Sequence, residues 1–518
     1  MTALSPRVWR SLEWSRTDTI AATVVTAFAF LIRLARLGDP GSIIFDEVYY
    51  AKDSCWYVNV NSALCGIDYE STQVHPPLGK WLIALGIRLF GYDAFGWRIA
   101  AVFAGTAMVA LLYLLARKLF RSTLGAIAAS GLLAIDLLHF VQSRIAMLDI
   151  FVGLFALAAF LFVIYDRERL IAQDEEEIDP DVWEGPPRGL LDRPWRLAAG
   201  AAAGAATASK WTGGLVLLAV LVLTVVWEIS ARRRRGRATP VRLALREEGL
   251  SIFVWLMVAP LAVYLFTYIG RIEGDLLALP WADGSIVRAL IDRHKYMLDF
   301  HTDLLSTHSY QSPAWSWILL KRPVSYAFCA GTSCNPATAE GNYKEIFATG
   351  NPFVWWPAVL ALVYIAAVWV RKRDLRGPEG TILAGFVLTY GPWLLPMLDR
   401  PAVFIFYMVP TVPFLCLALA YVVTKMPYRD APRLSLGVLT AFATIAFSSF
   451  VWYYPLVANG SVPQPEWDRR IWFFDDCDKP PGVLTTQTVT ETTGTVVTTR
   501  TTETTDNSSL PPKGWCWI

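Results

Sequence analysis

Charge is what this sequence has least of. Asp, Glu, Lys and Arg make up 17% of its 518 residues, where ordinary soluble domains carry roughly 25%. Hydrophobic residues reach 54%, with 22 Trp and 27 Phe. So little surface suited to water excludes an ordinary soluble globule and implies a polytopic membrane protein. The net charge of +2 is too small to suggest nucleic acid. No DxD motif with Rossmann-like flanks is present, so no nucleotide-sugar site is expected. No histidine stands at metal-ligand spacing, and no internal repeat of the transporter kind is visible. The first apolar run, Thr19 to Leu37, lacks a small-residue cleavage site and reads as a transmembrane helix, not a signal peptide.

What is there is a series of apolar runs. A bilayer core of about 30 Å needs about 20 such residues per helix. Spans are expected near 19–37, 98–117, 122–140, 145–165, 197–210, 212–230, 250–270, 352–370, 381–398, 403–424 and 434–455. The fold class expected is therefore an all-α polytopic membrane protein with about eleven spans. Short loops rich in Lys and Arg stay on the cytoplasmic side. Arg7, Arg10 and Arg16, then Lys118 and Arg121, Arg232 to Arg235, Arg371 to Arg373, and Lys425, Arg429 and Arg433 all fall on one side of this scheme. The N-terminus is expected inside and the C-terminus outside.

The outer side then receives loops of about 38–97 and 271–351 and a tail from 456. Residues 1–455 would form the transmembrane catalytic domain, and 456–518 an extracytoplasmic tail. Leu78 to Phe90 is amphipathic and suits the membrane interface. The stretch 166–196 reads as a solvated cytoplasmic loop. Cys55 with Cys65, Cys329 with Cys334, and Cys477 with Cys516 all map outside, where disulfides form. The Thr-rich stretch 485–509 is low in complexity and reads as a mobile loop, modified or not.

Ionisable groups near a membrane need a reason. Asp46 and Glu47 follow the first span closely, in an aromatic setting (FDEVYY). One would take a proton while the other orients a hydroxyl or a loop; a solvated acidic loop is the plain alternative. His75-Pro76-Pro77 leads into a helix whose first turn carries Lys80, where a cation opposes the dipole. That suits a phosphate partner, or a snorkelling lysine. Arg98, Arg144 beside Asp149, Lys210 and Arg400 are outer-face cations that the charge bias does not predict. Each alone reads as an interfacial anchor; together they resemble a receptor for an anionic lipid head group.

Taken in order, FDEVYYAKD, VHPPLGKW, SRIAMLD, SKWTG and HSYQSPAWSW (308–317) resemble the protein O-mannosyltransferases, integral membrane glycosyltransferases of the GT-C type. The second outer loop is too short for the large soluble insert of the family's eukaryotic members, so the resemblance is to the prokaryotic form. It implies a polyprenyl-phosphate-mannose donor and Ser or Thr acceptors on exported proteins. It also implies a place in the cell membrane; whether the protein export channel is a further partner stays open. On this resemblance Asp46 matches the catalytic aspartate and Glu47 its acidic neighbour. Arg144 and Asp149 match a paired motif, and His75 and His308 lie in motifs supporting the site. A carboxylate base raises the reactivity of a hydroxyl by about 10²–10⁴, and cations stabilise the departing phosphate. The result is a single displacement with inversion. No cofactor is expected, although a divalent cation stays open. A transferase moving another lipid-linked sugar is the nearest rival.

Overall fold

The computed structural model describes residues 14–505 apart from 59–61, 68–69, 177–189, 235, 274–275, 279–285, 304–307, 309, 335–338, 374–376, 396–402, 472–483 and 494–495. Helices occupy all eleven expected spans, but their lengths differ. Among the described residues, seven are long and apolar enough to cross a bilayer: Arg16–Leu34, Ala94–Phe120, Asp149–Glu168, Trp211–Arg233, Pro240–Phe266, Pro352–Lys372 and Pro432–Val457. The other four are shorter helices, Thr123–Ala134, Pro194–Ser209, Pro378–Tyr390 and Val412–Thr424.

Local chemistry sets these limits. Ser15 and Asp18 form a capping box at the start of Arg16–Leu34. Buried Asp18 also accepts from Arg117 Nε at 2.8 Å and Thr123 Oγ1 at 2.8 Å, tying three helices together. Asp136 breaks the span expected at 122–140. Its side chain caps Leu137–Gln142 by accepting from His139 N at 3.0 Å, and accepts from Trp355 Nε1 at 2.7 Å. A proline lacks the N–H a helix needs, and Pro260 stands two residues beyond a π turn, Val254–Val258. Helix Pro194–Ser209 is rich in Ala and Gly because another backbone runs against it. A Cβ on Gly200 would come within 1.8 Å of Trp255 O.

The charged stretch 166–196 differs from its expectation at both ends. Asp166, Arg193 and Arg196 are buried and join Glu228, Arg232 and Glu248 in one ionic network; residues 177–189 lie outside the described residues. Arg196 reaches Glu228 at 2.7 Å and Glu248 at 2.7 Å. Buried charge is tolerated only when paired in this way, so a solvated loop is not what these end residues form.

Two strands from the long loop at about 271–351 and one from beyond residue 455 form a small antiparallel sheet in the order Val324–Ala330, Asn342–Ala348, Val462–Pro463. The third strand, and Trp467 buried behind it, belong to the body although they lie past residue 455. Disulfides join Cys55 to Cys65 and Cys329 to Cys334; Cys477 and Cys516 fall outside the described residues. The Thr-rich stretch is not a structureless loop: Leu484–Thr493 and Val496–Thr505 pair as an antiparallel hairpin. Threonine is β-branched, and a run of it favours a strand over a coil.

Candidate active site

Asp46 stands at the end of a loop leaving the first helix, one residue before helix Glu47–Tyr57. Phe45 just before it has φ +46°, a left-handed conformation that costs a bulky residue of order 1–3 kcal/mol. A ring cage holds it there. Its centroid lies 4.8 Å from Tyr326, 5.8 Å from His308, 6.0 Å from Phe406 and 6.4 Å from Phe404. The Asp46 carboxylate makes no side-chain hydrogen bond among the described residues, not even as a cap for its own helix. Burial pushes it up to about 6, with the Lys210 ammonium pulling the other way and the Asp149 carboxylate adding to the rise.

Lys210 is the cation that faces it. Helix Pro194–Ser209 ends at Lys210 in extended backbone, and Gly213 closes the turn by donating to Lys210 O at 2.8 Å. Only glycine fits at 213, because a Cβ there would lie 2.2 Å from the backbone of Ala206. Lys210 Nζ donates to both oxygens of Asp149 at 3.0 Å, and sits 4.3 Å from the Tyr407 ring centroid. Asp149 opens its own helix, where the dipole favours a carboxylate. Tyr50 completes the group, its phenol pushed well up by burial and by Asp46, Asp149 and Tyr407.

The other expected site residues are placed differently. Glu47 is buried behind Asp46 and wholly engaged. Its two oxygens take Arg98 Nε at 2.7 Å and Nη2 at 2.8 Å, and also accept from the backbone of Ile44 and Ala146. Arg98 gives its remaining donors to the carbonyls of Leu37, Pro40 and Ser42. All five donors are spent on one loop, so Arg98 binds no phosphate in this arrangement. Arg144 donates to the carbonyls of Ile32, Arg33, Ala35 and Arg36, capping the first helix's C-terminus, and Asp149 pairs with Lys210 instead. A cation is favoured at that helix end. Lys80 is buried between Asp53 at 2.9 Å and Glu70 at 2.7 Å. Of the five cations expected to form a receptor, Lys210 is the one placed beside Asp46, with Arg400 outside the described residues.

His75 lies 5.9 Å from Tyr50 and 5.5 Å from His301, ring to ring. His308 stands exposed on the rim of the ring cage, its Nδ1 accepting from Tyr310 N at 3.1 Å. Tyr50, Tyr326 and Tyr407 belong to the site and were missed; only the aromatic run around Asp46 signalled them. No group of three or more His, Cys, Asp or Glu suited to a metal occurs among the described residues.

Comparison with known proteins fits this geometry. Residues 23–97 and 74–169 match family models described as dolichyl-phosphate-mannose-protein mannosyltransferase. Residues 286–475 match the C-terminal four-transmembrane region of protein-O-mannosyltransferase. A polyprenol-phosphate-mannose–protein mannosyltransferase of Mycolicibacterium smegmatis is 32% identical, the match covering 89% of this chain and 93% of that one. One from Corynebacterium glutamicum is 28% identical, covering 89% and 94%. The fold is similar to that of the Saccharomyces cerevisiae Pmt1–Pmt2 protein O-mannosyltransferase complex bound to its sugar donor. That match has a TM-score of 0.70 at 15% identity, covering 90% of this chain and 94% of that one.

Proposed function

The chain belongs to the protein O-mannosyltransferase family, and from that premise we propose that it transfers mannose from a polyprenyl-phosphate-mannose lipid to Ser or Thr hydroxyls of exported proteins. Asp46 takes the proton of the acceptor hydroxyl. The hydroxyl oxygen attacks the anomeric carbon from the face opposite the phosphate. The bond from that carbon to the phosphate oxygen breaks, and polyprenyl phosphate leaves with the electron pair. The configuration inverts, and the proton stays on Asp46 until water removes it. The leaving group is already good, so no strong general acid is required.

Lys210 has three N–H donors and gives two to Asp149. The third answers the charge that grows on the phosphate. Asp149 and the Tyr407 ring hold the ammonium in place, so the stabilising charge is set before the reaction begins. The observation that carries this reading is the unbonded Asp46 carboxylate beside a buried, positioned ammonium.

The positive clusters support a cytoplasmic N-terminus, and with it Asp46 and the C-terminus on the outer side. An exported acceptor has to reach that side, which supports a place beside the export channel. The test uses membranes holding the Asp46→Asn protein, labelled polyprenyl-phosphate-mannose and a Thr-rich peptide. Transfer at the wild-type rate by a folded Asp46→Asn protein would exclude Asp46 as the base.

A further inference from the structure

A concavity of about 430 Å³ has none of the residues of the proposed transfer reaction in its lining. The turn Ala314–Leu319, the cations Lys321 and Arg322, Thr349, and the first residues of helix Pro352–Lys372 enclose it. Trp317 separates the two sites. Its Nε1 donates to Ser312, which lines the cavity, while its ring centroid lies 6.2 Å from that of Tyr407.

Three features of the lining agree in sign. Arg322 is half-buried, with its Nε enclosed and unbonded among the described residues. Thr349 is only 2% exposed, and its hydroxyl has no partner there either. Buried polar groups without partners are rare, and these two line one cavity. The N-terminus of a 21-residue helix contributes the third, through its dipole alone, since Pro352 has no N–H and Asn351 accepts from the backbone of Phe353, Val354 and Trp355. Cation, hydroxyl donor and helix N-terminus all suit an anion. The mouth is of another character: Trp315, Leu319 and Trp356 are 54%, 48% and 39% exposed. A free anion gains nothing from such a rim, whereas tryptophan at a lipid interface is favoured.

We propose that this cavity binds the phosphate head group of an anionic membrane lipid, distinct from the sugar donor, whose chains run along Trp315, Leu319 and Trp356. Lys321 and Arg322 also stand on the side where the charge bias does not predict cations, which a lipid phosphate would explain.

The probe is phosphatidylglycerol added to the purified full chain in mild detergent, with bound lipid counted by native mass spectrometry. The double variant Lys321→Gln/Arg322→Gln should weaken retention by roughly tenfold, as loss of charge-assisted bonds implies. Lys321→Glu should weaken it as well, at a position exposed enough to leave folding intact. Phosphatidylcholine should be retained less well by the wild-type chain. Equal retention of phosphatidylglycerol by wild type and double variant would overturn the proposal. So would its full displacement by millimolar inorganic phosphate, which would mark a site for free anions.

Discussion

Glu47 meets Arg98 through both carboxylate oxygens, at 2.7 and 2.8 Å, and the pair is buried. The two neighbouring acids are therefore placed differently: Glu47 fixes the loop, and Asp46 stays free of such a partner for the proton transfer proposed above. Removing one partner of such a pair costs about 3–5 kcal/mol, because the other charge stays buried alone. Glu47→Ala should melt well below the wild type in detergent, and Asp46→Asn should melt close to it. Equal losses from the two substitutions would contradict this division.

Acid should slow the enzyme in a defined range. The working form of Asp46 is the carboxylate, and burial raises its pKa to about 6. Transfer should climb as pH rises through about 6 and level off above it. Asp46→Asn should lower kcat by about 10²–10⁴ and remove this limb. A rate unchanged from well below to well above that value would count against Asp46.

Lys210 and Arg144 should fail in different ways. Lys210→Met removes the cation facing Asp46 and should cut kcat by about 10²–10³, the scale of losing one transition-state donor. Arg144→Gln loosens the end of the first helix, so it should lower the melting temperature more than the turnover of folded protein. Steady-state kinetics and melting curves on both variants separate the effects. Normal turnover by Lys210→Met would remove Lys210 from the reaction.

Glu345 gives a test by pH and stability. It is buried in the outer sheet, accepting from Ser325 Oγ at 3.0 Å and Trp467 Nε1 at 2.9 Å, and burial raises its pKa from 4.5 to about 8. The folded chain holds the proton more tightly than the unfolded chain. Its contribution is therefore whole below the unfolded value and fades as pH rises towards about 8. Glu345→Gln should flatten that part of a melting-temperature profile. An unchanged slope in the variant would assign the pH dependence elsewhere.

Much of the fold was legible because lipid imposes a simple rule: long apolar runs become helices. The break at Asp136 was not, since the cap depends on Asn351 and Trp355, more than two hundred residues away. Asp46 and Glu47 were legible as an acidic pair among aromatics after the first span; which of the two stays unbonded was not. The roles of the cations were not, because sequence gives the position of a charge and not its partner. Arg98 looks the same whether it meets a phosphate or Glu47. Lys210 meets Asp149 across 61 residues, a pairing no local spacing suggests. The Thr-rich hairpin was missed because composition was weighed above the β-branched side chain.

The ionic knot of Asp166, Arg193, Arg196, Glu228 and Glu248 lies at the far end of the bundle from Asp46. Asp149 and Asp166 share a helix, and its rise separates them by about 25 Å. Among the described residues, the same helices are held at the Asp46 end by the single Lys210–Asp149 pair, so they should part more readily there than at the five-membered knot. Breathing that admits the isoprenoid tail of the proposed donor would then fall at the Asp46 end. Amide hydrogen exchange should accordingly be slowest around Arg196 and faster beside Lys210.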